Sequence, residues 1–242
     1  MRSRDAFPVG MSLAPLLLAV AVTTHAQTPK CPGNDEWPSK VRLDYDVAAS
    51  RGPFSLSGDS ILTFERTGKD YTINVNTDAA AFFHARQTSR GTLEAGGLQP
   101  LEYVETRTGR DAQTTTFDWN AKLVHFSIAQ DSPSPAEPGL QDRVSLLVQL
   151  AFHLHAATAA GPFEIPVAGA RRVGPYHLVR LGVEAVKVPA GTIEAAHFER
   201  AEDKDRLEAW FAQSWCGLPI RLRFTDKNGG VIDHRIRGAS ID

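Results

Sequence analysis

The chain has 242 residues, 42% hydrophobic and 22% charged, an ordinary composition for one globular domain or two small ones. Lysine and arginine number 26 against 28 aspartates and glutamates, so the formal charge is −2. That balance supplies no basic field for nucleic acid and no acidic tail, and it sets nucleic-acid binding aside.

The N-terminus reads as a targeting segment. Arg2 and Arg4 make a basic start, Met11 to Val22 is an apolar run of signal-peptide length, and Thr24-His25-Ala26 ends on a small residue. Residues 1–26 are therefore expected to be a signal peptide cleaved near Ala26, leaving an exported chain that starts at Gln27. The residue directly after that point is Gln27 rather than Cys, which argues against a lipid anchor, and no later stretch reaches the ~20 apolar residues of a transmembrane segment. Export makes the cysteines informative: Cys31 and Cys216 are expected to form a disulfide. Closing so long a loop is worth roughly 5 kcal/mol in the chain-entropy account.

Residues 27–40, with Pro29, Pro32 and Pro38, form an irregular leader. A succession of strands follows. Val41 to Val47 opens it. After Arg51-Gly52-Pro53, Phe54, Leu56, Leu62 and Phe64 share one parity along a long strand in which Gly58-Asp59 marks an expected bulge. Tyr71, Ile73 and Val75 come next, then Phe82 to Arg90, Leu101 to Thr106, a run carrying Thr115, Phe117 and Trp119, and Val124 to Ile128. Turn residues punctuate these runs about every 8–12 positions, the spacing of a sandwich or barrel.

Gln130 to Gly139, with Pro133, Pro135 and Pro138, breaks the pattern as a linker. The spacing of Val144, Leu147, Val148, Ala151 and Leu154 then predicts a helix over about 142–156, capped by Asp142 or Gln141. Leu146, Leu150 and Phe152 widen its apolar surface, and Arg143, Ser145 and Gln149 are left as its polar positions. A rod this apolar and too short to span a bilayer is expected inside the concave face of the sheet.

Strands resume at Phe163 to Val167, Val173 to Leu181 and Val183 to Val188, the last two joined by Gly182. Glu194 to Arg200, Arg206 to Phe211, Leu218 to Thr225 and Val231 to Arg237 complete the chain. Leu218, Ile220, Leu222 and Phe224 alternate with Arg221, Arg223 and Thr225, the period of a half-buried strand. The fold is thus mainly β, an antiparallel meander with one internal helix, and residues 41–242 form a single domain.

Val188-Pro189-Ala190-Gly191-Thr192, Arg200, Leu207-Glu208-Ala209-Trp210-Phe211 and Leu218-Pro219-Ile220-Arg221 occur in an order that resembles a bacterial envelope family called domain of unknown function 3108. Gly91-Thr92-Leu93, Gly97-Leu98-Gln99-Pro100, Phe117-Asp118-Trp119 and Gln141-Asp142 with Ser145 are similar to it as well. The resemblance implies an exported, periplasmic, β-rich protein built as a half-open barrel, distantly similar to lipoprotein carriers, and it implies no activity. Gln213 stands where that pattern usually has Pro, so the following corner is expected to differ.

The chemistry read from the residues is sparse. His153 and His155 are the closest histidine pair, but on a helix they point about 200° apart, a poor metal arrangement. Ser145 with His153 would make a hydrolase pair, yet they lie roughly 12 Å apart by helical rise. Arg200 and Glu208 read as a cross-strand ion pair. No catalytic residue, metal or cofactor is singled out. Phe64, Tyr103, Phe117, Trp119, Phe126, Phe152 and Trp210 are the candidates for lining an apolar ligand cavity. One of Trp210 and Phe211 must face away from the core side, and if exposed it would mark a partner edge. The expected role is non-catalytic binding or carriage of an apolar small molecule, lipid or other envelope-derived ligand. The alternatives are an interaction factor that binds an envelope protein, and a hydrolase.

Overall fold

In the computed structural model the described residues are 28–33, 36–80, 83–128, 133–155, 161–202 and 205–242. The expected signal peptide lies outside them. The N-terminal strands are β1 (Lys40–Arg51), β2 (Phe54–Thr67), β3 (Asp70–Ala79), β4 (Phe83–Glu94), β5 (Gly97–Arg107), β6 (Arg110–Asp118), β7 (Leu123–Phe126) and β8 (Ser134–Pro135). After β9 (Gln141–Asp142) and helix α1 (Ser145–His155) come β10 (Phe163–Ala168), β11 (Val173–Val188), β12 (Gly191–Glu202), β13 (Asp205–Ala212), β14 (Leu218–Thr225) and β15 (Val231–Ile241).

Among the described residues these strands form one 15-stranded sheet in the order β8-β7-β6-β5-β4-β3-β2-β1-β15-β14-β13-β12-β11-β10-β9. The first and last long strands pair in the middle, from Val41 opposite Ile241 to Ser50 opposite Val231. Two meanders, antiparallel except for the parallel β9–β10 pair, therefore spread outward from the strands nearest the two ends of the chain, and β8 and β9 are open edges. This is the half-open barrel with one helix.

Alternation decides which side chains go inward. In β1, Val41, Leu43, Tyr45 and Val47 are buried, while Arg42 and Asp44 pair with each other on the other face. The expected bulge at Gly58-Asp59 is not there: β1 and β2 stay in register throughout. Glycine is needed at 58 for a different reason, because a Cβ there would stand 2.1 Å from the Asp78 carbonyl oxygen of β3. The register shifts fall elsewhere, including one at Gly182, through which β11 runs as a single strand rather than two.

Helix α1 starts on a reciprocal cap. Asp142 Oδ1 accepts from the backbone N–H groups of Val144 and Ser145, each at 2.8 Å, and the Ser145 hydroxyl accepts from the Asp142 N–H at 2.9 Å. Asp142 Oδ2 accepts from the Ser89 hydroxyl at 2.5 Å, tying the cap to β4. Gln213 occupies the corner after β13, and its amide donates to the His155 carbonyl at 3.1 Å, satisfying one of the helix's last acceptors. Proline could not do this.

The helix does lie against the sheet, packed on β14, β5 and β9, but it is rotated from the expected orientation. Ser145 and Gln149 are buried, whereas Leu147, Val148 and Leu154 are only half-buried. The cause is the start of β5, whose backbone needs partners. Gln149 Oε1 accepts from the Leu98 N–H at 2.7 Å and its amide donates to the Gly96 carbonyl at 3.3 Å, while the Gln141 amide donates to the Leu98 carbonyl at 2.8 Å. With Thr115 donating to the Gly169 carbonyl and Arg143 reaching Glu105, side chains rather than strand pairing tie the outer strands of the two meanders, which the β1–β15 ladder joins at the centre.

Candidate ligand-binding site

The rotation of α1 turns Leu147 and Val148 toward β1, β2 and β14 and leaves a seam there. A gap of about 20 Å³ is lined by these two residues with Val41, Leu43, Leu62 and Phe64, among others. That volume holds about one water molecule, and the walls offer it no polar partner. The leader covers the seam. Trp37 stacks on Phe152 at 3.8 Å with planes 8° apart, and its ring lies 6.1 Å from Phe64. Arg66 donates to the Trp37 carbonyl, and His155 Nε2 donates to the Pro32 carbonyl. The Cys31–Cys216 disulfide fastens the same leader beside the end of the helix. Gly217 sits so close to α1 that a Cβ would be 2.4 Å from the Ala151 carbonyl oxygen.

The seven aromatic candidates do not share one cavity. Phe64 lines the seam and Phe152 carries its cover. Tyr103 is fully buried in the β5 wall, where its hydroxyl donates to Glu105 at 2.9 Å and accepts from Gln87 at 2.8 Å, and burial raises its pKa well above the ordinary phenol. Phe117 and Trp119 stack on each other, Trp119 donates to the Pro100 carbonyl, and Phe126 is half-buried beside them on β7. Trp210 lies on the face opposite Ala209 and Phe211, away from α1. It is no exposed edge, being 4% accessible between the His197 ring at 4.2 Å and the Arg221 guanidinium at 4.8 Å, with Glu184 accepting from its indole.

One further expectation is corrected. Arg200 faces Leu207 across the ladder and lies 3.9 Å over the Tyr176 ring, while Glu208 is approached by Arg206, Arg223 and His197. The polar residues of α1 have structural duties: Ser145 is part of the cap, and His153 Nε2 stands 2.6 Å from the Gln149 amide nitrogen, its pKa lowered by burial. His155 is buried by the leader. Among the described residues no three His, Cys, Asp or Glu side chains are grouped to hold a metal ion. Trp37 was not among the aromatic candidates, since the irregular leader has no periodicity that assigns a side chain to a face.

The molecule is thus an open, barrel-like β-sheet protein with a helix across its opening and a disulfide-fastened leader over the helix. It belongs to the family described as "Protein of unknown function (DUF3108)", which it matches over residues 44–234. Among solved structures it is similar to a beta-barrel-like protein of domain of unknown function DUF1849 from Brucella abortus, at 12% identity and a TM-score of 0.54, covering 85% of this chain and 98% of that one. It is also similar to a DUF1329 family protein from Desulfovibrio piger, at 13% identity and a TM-score of 0.33 over 85% of this chain and 86% of that one. A third similarity is to a putative outer membrane lipoprotein-sorting protein domain from Vibrio parahaemolyticus, at 8% identity and a TM-score of 0.33 over 86% and 88%. No curated protein matches the chain.

Proposed function

We propose that this is an exported, non-catalytic protein of the bacterial envelope that binds an apolar chain, such as an acyl group, in the seam between α1 and β1, β2 and β14. The observation that carries the reading is the orientation of α1. Its polar side chains are committed to the wall, and its apolar Leu147 and Val148 meet the sheet across a gap under a removable cover. In a tight core such a seam closes by interdigitation. Here the gap is too small for a ligand, so α1 and Trp37 act as a plug that shifts to admit one. The disulfide supports export, because such bonds persist in oxidising compartments. No helix among the described residues is long and apolar enough to cross a membrane.

The test is uptake of a fluorescent fatty acid by the purified protein, with native mass spectrometry of material taken from membrane-containing cells. Saturable one-to-one uptake that is lost in Val148→Trp, where the new ring fills the seam, is the expected result. A ligand-free spectrum together with no uptake rejects the reading. A second reading is docking of an envelope protein, favoured by β11. Beyond Leu178, β10 no longer pairs with β11, and Val179, Leu181 and Val183 are 50%, 54% and 52% exposed. Cross-linking from residue 181 to a co-purifying protein would favour it over lipid carriage.

A further inference from the structure

Where β6 comes up against the β10–β11 connection, the molecule has an open cleft of about 730 Å³, lined by Gly109, Arg110, Asp111, Gln113 and Ile128 on one side and Arg171 on the other. Its volume is of the order that accommodates small molecules. None of these residues lines the apolar seam, so the cleft is a separate site with a chemistry of its own.

The charge arrangement of the cleft is unusual. In the β5–β6 ladder Arg107 stands directly opposite Arg110, and like charges in that relation destabilise a sheet unless something neutralises them. Arg107 is neutralised: its guanidinium reaches Glu105 Oε1 at 2.5 Å. The same carboxylate is also held by Arg143, from the segment leading into α1, at 3.4 Å. Glu105 is buried and shared by two arginines, so it has nothing left for Arg110. Among the described residues neither Arg110 nor Arg171 is within ion-pairing distance of a carboxylate, and both are exposed. Asp111 is the one carboxylate among the described lining residues, set against these two guanidinium groups, with the Gln113 amide as a further donor. The described lining therefore carries two positive charges against one negative in a chain whose net charge is −2. Planar guanidinium forks on two walls match an oxyanion, which each can hold through paired N–H donors.

We propose that this cleft is a binding site for an oxyanion, a phosphate or carboxylate group held between Arg110 and Arg171 with Gln113 assisting. The group comes from a free solute or from the head of an anionic lipid. The test uses the whole exported chain with its disulfide intact. Inorganic phosphate is titrated by calorimetry, and flotation with phosphatidylglycerol vesicles is compared with phosphatidylcholine vesicles. Arg110→Gln and Arg171→Gln are each expected to weaken binding by about tenfold, and the double variant to abolish it. Lys69→Gln, on the distant β2–β3 hairpin, should bind as the parent does. Saturable binding of phosphate without vesicle binding identifies a solute. Arginine-dependent flotation with phosphatidylglycerol alone identifies a lipid head group. Binding by the double variant at parental affinity, or no binding to either probe, overturns the proposal. Fatty-acid uptake by the double variant should be unchanged, which separates this outcome from the fate of the seam.

Discussion

Asp142 concentrates several demands in one carboxylate. It caps α1, accepts from Ser89 across the barrel and is fully buried, and that burial raises its pKa above the ordinary 3.8 despite the hydrogen bonds it accepts. An acid whose folded pKa is raised contributes most to stability below its unfolded value and loses that contribution as pH rises through the folded one. Asp142→Asn keeps an acceptor for the two N–H groups without the buried charge. Its urea midpoint should therefore fall less between pH 4 and 8 than the parent's. Asp142→Ala removes the cap and should cost about 1–2 kcal/mol. His234 runs the other way. It lies beside Tyr45 and Phe224 on the inner face, and burial pushes its pKa down from 6.5 to about 4. Stability it supports is complete above 6.5 and is lost as pH falls from there toward 4. An imidazole titration followed by NMR should place its midpoint near the lower value, and a midpoint near 6.5 would contradict the packing.

At the level of single elements, α1 is oriented by polar rather than apolar contacts. Gln149→Leu keeps the volume but orphans the Leu98 N–H and the Gly96 carbonyl, and should cost about 1–3 kcal/mol by denaturant unfolding. A neutral result would mean that greasy packing alone sets the helix. The strands make a matching case at Gly58. The close approach of β3 leaves no room for a methyl group, so Gly58→Ala should force β2 and β3 apart and lower stability by about 1–3 kcal/mol, although Ala is otherwise the better strand residue.

On the scale of the whole molecule, two long-range ties define the architecture. One is the β1–β15 pairing that joins the meanders. The other is Cys31–Cys216, whose ends are separated by 185 positions in sequence, which holds the leader and its Trp37 in place over α1. Reduction, or Cys216→Ser, should lower the denaturant midpoint by an amount equivalent to as much as roughly 5 kcal/mol. Trp37 fluorescence should shift toward that of an exposed indole before the sheet unfolds. Simultaneous loss of both signals would show that the leader is no separate cover.

The β class, the strand boundaries near Leu218–Thr225, the position of α1, the pairing of two cysteines and the family were all legible in the residues. Alternation, helical spacing and short ordered motifs are local signals, and local signals survive without coordinates. The tertiary structure decided the rest. Which strands meet at the centre, that Gly58 serves close approach rather than a bulge, and that Trp210 turns away from the core side depend on neighbours far apart in sequence. The same holds for α1, since nothing near Gln149 in the chain announces that residues 96 and 98 lack backbone partners. Arg110 and Gln113 meet Arg171 in one cleft only after the sheet has curled enough to bring β6 against the β10–β11 connection.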